Sequence, residues 1–468
     1  MGTSAAGPKA QGAFAFEETT HDQAGLLTGL LKRSERVLVK KLSNNDRDWA
    51  RFSNKHQAGV YMPADQREGG FFPPLTSKNR SDPEAAEIRE AWFKTSWPQA
   101  TGSEQNKVTR IVHYTSKGPE THMTYLPKEC FAQLSPASLL VIGRSEQGDT
   151  VRYECLTVDS ASEEVDLLRA QLEFTPDFLI GEFAPAEVKA REQDRVLDFA
   201  DELIAAWKGG TIVEFGRLRT AMPTTEELAG FARARYLEQQ GIARLDPFKI
   251  ECPGDTLRDI SRRIEWELFK EFQRRERAVS LVRIVLGEKP REMSVAEMIR
   301  RLVSELPQVD ALMLSASQQR KSRAGYSYEH HIEAMLVDGK IPFEKQVVIE
   351  AKKRPDFILP SLGFISSGET IAKTGLILSA KTTLRERWKQ VEREKGDRNL
   401  YLTTVDESIA SNAIEDMCNI GVQLVVPEGL MDKKKYEYAG HKNVLTFRQF
   451  CDDIVAPNLE AWRSTKLQ

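Results

Sequence analysis

The hydrophobic period changes near the middle of this chain, and that change limits the folds open to it. Up to about residue 185 the apolar residues come in short runs (RVLVKKL, AGVYMP, KVTRIVHY, SLLVIGR, VRYECLTV) separated by Gly, Pro, Asn and Ser. This pattern predicts a compact, mostly β domain. Residues 187–208 (EVKAREQDRVLDFADELIAAWK) are acidic, repeat at helical spacing and close on Gly209-Gly210, which suits a connecting helix and a hinge. Two long helical segments follow, TTEELAGFARARYLEQQG and LRDISRRIEWELFKEFQRRERAVSLVRIVLG. From Tyr328 onward helices (YEHHIEAMLVDG, LRERWKQVEREKG) alternate with strands (EKQVVIEA, DFILP, TGLILSAKT, NLYLTT, VQLVVP), the signature of a mixed α/β core. The expected division is a loose tail at 1–25, a β domain at 26–185, an acidic linker at 186–212 and an α/β domain at 213–468; 468 residues can bury two cores.

A formal net charge of -3 argues against a nucleic-acid partner only if it is evenly spread. Residues 1–150 carry 19 Lys and Arg against 17 Asp and Glu, residues 151–210 carry 6 against 14, and residues 211–468 carry 41 against 38. Phosphate responds to the local field, so two mildly basic flanks around an acidic middle remain compatible with DNA. The five cysteines are widely spaced and include no Cys-x-x-Cys pair, so neither a disulfide framework nor a zinc site is indicated. No run approaches the roughly 18 apolar residues of a membrane helix, and the first residues lack the pattern of a signal peptide. A reducing prokaryotic cytoplasm, beside the nucleoid, is the expected compartment.

Pro355-Asp356 opens one strand, and 25 residues later Lys381 closes another. An acid and a lysine at the ends of adjacent strands suit metal-dependent phosphodiester hydrolysis. A hard divalent cation wants carboxylate oxygens, and the attacked phosphate needs its growing charge neutralised. A second acid often stands two residues before such a lysine, but Ser379 occupies that position here. Glu394 falls on the edge of the apolar stripe formed by Leu384, Trp388 and Val391, so it can face inward. Glu350 and Glu329 are further candidates for the acidic cluster. On spacing alone the pattern is weak, because solvated Asp, Lys and Glu are common.

The stretches RKSRAGYSYEHHIEAMLVDGK (320–340), KKRPDFILPSLG (352–363), SAKTTLRERWKQVERE (379–394) and GVQLVVPEGL (421–430) resemble the catalytic domain of the EcoRII-type restriction endonucleases in order, spacing and wording. VLVKKLSNND (37–46), HQAGVYMP (56–63) and KVTR (107–110) are similar to that family's N-terminal effector-DNA domain. The resemblance implies an α+β multidomain chain with a β-barrel-like (B3-like) DNA-binding domain ahead of an α/β nuclease of the PD-(D/E)xK fold. It implies Asp356, Lys381 and Glu394 as catalytic residues and Mg²⁺ on the acids. It also implies a homodimer in which each subunit cuts one strand of a two-fold site. The N-terminal domain would bind a second DNA site as effector and block the catalytic cleft until then. A cognate DNA methyltransferase would act on the same target.

By the same resemblance, Arg385-Glu386-Arg387 reads a CC:GG step of a CCWGG-like target, Arg to guanine O6 and N7 and Glu to cytosine N4. Alternating charge on a solvated helix face is the plainer account. Arg262 and Trp266, with Arg263 beside them, would stack on an extruded base; Ile264, Leu268 and Phe269 surround Trp266 at helical spacing and suit a core position equally. Arg320, Lys321 and Arg323 form a short basic run before a turn at Gly325, suited to phosphate contacts. His56, Tyr61 and Lys107 match the effector stretches, whereas TGSEQN (101–106) stands where the family is strongly basic. His330 and His331 point 100° apart on a helix and suit a structural role. The alternative to a nuclease is a DNA-binding regulator that keeps a decayed core, with Ser379 as its support. A methyltransferase is disfavoured, since no Gly-rich cofactor loop follows a first strand.

Overall fold

The computed structural model describes residues 23–464 apart from 53–58, 79–86, 119, 149, 163, 175–177, 349–353, 368–369, 385–397 and 434. Two sheets organise it. The first has nine strands, β1 (Arg36–Lys41), β2 (Val60–Met62), β3 (Thr76–Ser77), β4 (Ile88–Ser96), β5 (Asn106–Tyr114), β6 (Thr121–Thr124), β7 (Leu139–Gln147), β8 (Thr150–Val158) and β9 (Ile180–Phe183). Their order is β2-β6-β5-β4-β8-β7-β1-β9, with β3 beside β4. The pairings are antiparallel except β4 with β8, where Thr95 and Tyr153 face each other in parallel. Tyr61 on β2 and Ile180 on β9 line one cavity, so the two ends of this path curl toward each other as in a barrel.

The uninterrupted apolar runs of β1 and β7 follow from burial on both faces. Leu38, Leu140 and Ile142 enter the barrel core with Trp97 and Phe131. Val37, Val39, Leu139 and Val141 face outward under Leu27, Leu30 and Leu31 of helix α1 (Gln23–Arg33). Strand β4 was not expected from the sequence. It buries Ala91, Phe93 and Thr95 but turns Arg89, Trp92 and Lys94 outward, so an exposed Trp and a buried Thr break the apolar–polar alternation that would mark a strand. A short helix α2 (Asn44–Arg51) begins at Ser43, which shares a capping box with Asp46.

Helix α3 (Pro185–Lys208) occupies the expected acidic linker and ends where Gly210 takes a positive φ of 72°. Helix α4 (Thr225–Gln240) starts on a Thr224–Glu227 capping box and stops at left-handed Gly241. The charged segment 253–286 is continuous but passes through a π-helical turn, Ile260–Ile264, before α5 (Glu265–Leu286). Helices α6 (Val295–Ser304) and α7 (Leu306–Asp338) follow. Arg320, Lys321 and Arg323 therefore lie within a 33-residue helix and not in a loop before a turn. A single internal glycine costs about 1 kcal/mol, and the packed end of α7 at Tyr328, Ile332, Met335 and Leu336 outweighs it.

The second sheet, β10 (Glu344–Lys345), β11 (Phe357–Leu359), β12 (Leu376–Ala380), β13 (Asn399–Thr403), β14 (Val422–Val426) and β15 (Val444–Thr446), is ordered as numbered. Its first three strands are antiparallel and the rest parallel. Side chains alternate between two cores. Leu376, Leu378 and Ala380 pack against α4, the π-helical turn and α7. Ile377, Leu400 and Leu402 pack against Ile414 and Met417 of α8 (Ser411–Asn419). The EKQVVIEA segment was expected to form one strand, but among the described residues only Glu344 and Lys345 pair. No described helix is long and apolar enough to cross a membrane.

Candidate nuclease site

Register places the candidate groups. Phe357 pairs with Leu378, so one residue outward Asp356 lies opposite Ser379, and Lys381 follows just beyond the sheet edge. Asp356 is almost buried, and its Oδ2 accepts the Ala380 N–H at 2.7 Å and the Lys381 ammonium at 2.8 Å. Among the described residues its Oδ1 accepts no hydrogen bond. The Lys381 backbone N–H is fixed by Thr403 O at 2.9 Å, so its direction is set by β13. From the helical layer α7 brings Glu329 against this pair. Burial pushes the Glu329 carboxyl up to about 7, with Asp356 adding to the rise and Lys381 and Lys345 opposing it. At the ends of β11 and β12 Asp356 thus holds Lys381, and the Glu329 carboxyl lies near enough to be influenced by both. Such a donor set fits a hard divalent cation. Ser379 is fully buried in β12, and the described carboxyl that influences Asp356 and Lys381 is Glu329 of α7.

Glu350, Glu394 and the Arg385, Glu386, Arg387 triplet lie outside the described residues, as does His56. The segment leading to the triplet starts from a firm anchor, because buried Leu384 donates its N–H to Asp406 Oδ2 at 2.7 Å. The side chains of Arg320, Lys321 and Arg323 are also outside the description. His331 is buried, with Nε2 2.6 Å from Glu265 Oε2, and His330 pairs with Glu333 at 3.5 Å, which agrees with a structural reading of both.

Residues 290–451 match the family model described as the EcoRII C-terminal domain. Over 435 residues, 89% of this chain and 93% of the relative, the sequence is 26% identical to the Type II restriction enzyme EcoRII of Escherichia coli. The chain thus carries a domain of the EcoRII C-terminal family and is similar to a Type II restriction enzyme along most of its length. The Type II restriction enzyme SsoII of Shigella sonnei is 30% identical over 194 residues, 39% of this chain and 62% of that enzyme. Among solved structures, metal-depleted Ecl18kI in complex with uncleaved, modified DNA matches 55% of this chain and 84% of its own, at 25% identity and a TM-score of 0.44.

The remaining residues nominated by the EcoRII-type resemblance are dispersed. Lys107 pairs with Glu104 at 2.7 Å. The Tyr61 ring meets His122 edge-on at 6.0 Å and faces a cavity of about 580 Å³ shared by Lys40, Lys41 and Asn45 of the first sheet region and Lys435 and Tyr436 of the second. Trp266 stacks on Phe269 at 6.0 Å, and its indole N–H is buried with no protein acceptor among the described residues. Arg262 donates to Val405 O at 2.7 Å and lies 3.6 Å from Glu407. Its guanidinium is therefore part of a cluster that sequence reasoning missed. Glu407, fully buried, receives the Lys41 ammonium at 2.6 Å and a hydrogen bond from Arg258. Burial alone would push the Glu407 carboxyl up, but Lys41, Arg262 and Arg258 outweigh it and hold it far below the carboxylate range. Burial pulls Lys41 down to about 8 despite Glu407. Arg47 to Glu437 at 3.3 Å and Arg274 to Glu173 at 3.4 Å tie the two halves at two further points.

Proposed function

We propose that this chain, a site-specific endonuclease by family, hydrolyses double-stranded DNA with Mg²⁺ at a CC/GG-containing target. Asp356, Lys381 and Glu394 would be its catalytic residues. The observation that carries this reading is the convergence of Asp356, Glu329 and Lys381 at the ends of two adjacent strands. Asp356 and Glu329 would hold the cation, with Glu350 and Glu394 expected beside them. When bound, the ion neutralises charge on the attacked phosphate and favours a deprotonated water. Lys381, held by Asp356 and partly exposed, would donate to the attacking water or to the phosphate oxygen. Arg385, Glu386 and Arg387 would read the target bases, and Arg320, Lys321 and Arg323 would position its backbone.

Residues 26–185 would form the effector-DNA module, through His56, Tyr61 and Lys107, and 213–468 the nuclease, which works as a homodimer. Autoinhibition is supported by the route of one short segment. Thr403 O holds the Lys381 N–H, Val405 O holds Arg262, Asp406 holds Leu384 at the root of the base-reading segment, and Glu407 holds Lys41 of the first sheet. Five consecutive residues thus join the interdomain seam to the catalytic lysine. Effector DNA that disturbs Lys41 would be felt at Lys381. The test is cleavage of supercoiled plasmid with and without Mg²⁺, and persistent specific binding without any cutting would favour a DNA-binding regulator, the reading that buried Ser379 supports.

A further inference from the structure

Tyr328 is the residue of α7 just before Glu329, and its ring is buried in the core that α7 shares with α4 and β12. Packing asks for no hydroxyl there, and a buried hydroxyl costs free energy unless it is hydrogen-bonded. Burial pushes the phenol well above its ordinary pKa, so it stays a neutral O–H. Its oxygen lies 2.8 Å from Oγ1 of Thr403, the fully buried last residue of β13, and either oxygen can donate. The Thr403 carbonyl also takes the Lys381 N–H, and Thr403 stands opposite Ala380, whose N–H holds Asp356. One residue of β13 thus touches both the helix that brings Glu329 and the strand end that brings Lys381. Ile332, Met335 and Leu336 hold the same stretch of α7 on the core, but apolar contact is non-directional and leaves a helix able to slip or turn slightly. A hydrogen bond weakens steeply off its line and removes that freedom.

We propose that Tyr328 is a positioning residue, whose hydrogen bond to Thr403 sets where Glu329 stands relative to Asp356 and Lys381 and so how well the site takes a divalent cation. This rests on the nuclease reading, in which Asp356 and Glu329 hold the ion. Tyr328 touches no reacting group and acts through its neighbour. Consecutive helical residues point about 100° apart, so a small turn of α7 about the Tyr328 anchor carries the Glu329 carboxyl with it. Ligand distances in a metal site hold to within about 0.2 Å, which makes such a turn matter. A matched pair in the same core serves as the contrast. Tyr236 of α4 and Thr256 are both buried, with their hydroxyl oxygens 3.0 Å apart, and that bond joins two helical segments and no strand.

The test compares Tyr328→Phe, Thr403→Val, the double variant, Thr403→Ser and Tyr236→Phe in the full chain. Mn²⁺ binding is followed by electron paramagnetic resonance, the Mg²⁺ concentration for half-maximal plasmid cleavage is measured beside it, and thermal unfolding reports the fold. Tyr328→Phe should raise both the Mn²⁺ dissociation constant and the Mg²⁺ requirement by about tenfold, as loss of a partner behind a metal ligand does. Thr403→Val should match it, and the double variant should be no worse than either, because all three lose one and the same bond. Thr403→Ser keeps the hydroxyl and should restore the wild-type requirement. Tyr236→Phe should lower the unfolding temperature as Tyr328→Phe does, yet leave metal binding unchanged. An unaltered metal response in Tyr328→Phe, an equal response in Tyr236→Phe, or additive losses in the double variant would each overturn the proposal. Weakened Mn²⁺ binding in Tyr328→Phe, in a chain whose wild type cuts no DNA, would keep the positioning role and remove the nuclease reading.

Discussion

At the ends of β11 and β12 one lysine, Lys381, stands among two carboxyls, Asp356 and Glu329, while at the seam between the sheets one carboxylate, Glu407, stands among three cations, Lys41, Arg258 and Arg262. Both clusters are largely buried, and burial penalises any net charge left over. In the first, burial and then the neighbouring Asp356 push the Glu329 carboxyl up to about 7, and Lys381 and Lys345 do not offset them. The second has cations to spare, which shows in a Glu407 carboxylate held far below its usual range. A cluster left negative gains by taking in a cation. A cluster left positive has no use for one and gains from staying closed. On the function proposed above, the same side-chain chemistry would give a reactive centre in one place and a clasp in the other.

The sharpest way to break this comparison is to remove the pair that defines the reactive cluster. Asp356→Ala and Lys381→Ala should each lower plasmid cleavage by about 10²–10³-fold or more while specific DNA binding, read by gel shift, stays measurable. Full cleavage by either variant would show that the cluster is merely structural. The next largest effect belongs to the clasp. Glu407→Gln leaves three cations facing each other in a buried place, where losing one partner of a buried pair costs about 3–5 kcal/mol. Thermal unfolding should shift down, and cutting of single-site DNA should become faster. An unchanged single-site rate in a destabilised variant would leave the clasp as a stability feature only.

Arg258→Ala should be milder than Glu407→Gln, because Lys41 and Arg262 still satisfy the carboxylate. A loss of about 1.5–3 kcal/mol is expected, in the range of one hydrogen bond to a charged group. If the two variants proved equal, the excess of cations at the seam would be an illusion of geometry.

The two clusters were unequally legible in the sequence. Asp356 and Lys381 could be found because each ends a strand whose apolar run is visible, and Glu329 because it lies on a recognisable helix. Glu407 could not, since its main partner Lys41 is 366 residues away and no periodicity links them. The two-sheet plan followed from the change of period, because runs buried on both faces stay apolar. β4 was hidden by its exposed Trp92 and Lys94, and the basic stretch of α7 by charges and Gly325 that long-range packing overrides.

The smallest expected effect is a dependence of the clasp on pH, and its sign follows from the two shifts. Glu407 has its pKa depressed in the closed state, so its contribution is present above the ordinary carboxylate range and is lost as pH falls through that range and below. Lys41 is also depressed, from 10.5 to about 8, so between those values an opened seam binds more protons than a closed one. Closure should then strengthen slightly as pH rises from about 8 to 10.5, stay level from about pH 5 to 8, and weaken in acid. The measurement is thermal unfolding across pH for the full chain and for Lys41→Met, which lacks the titrating ammonium. The difference between the two curves should climb above pH 8, against the general alkaline loss common to both. A flat difference would mean that Lys41 is solvated in the working protein, and the clasp would then rest on Arg258 and Arg262 alone.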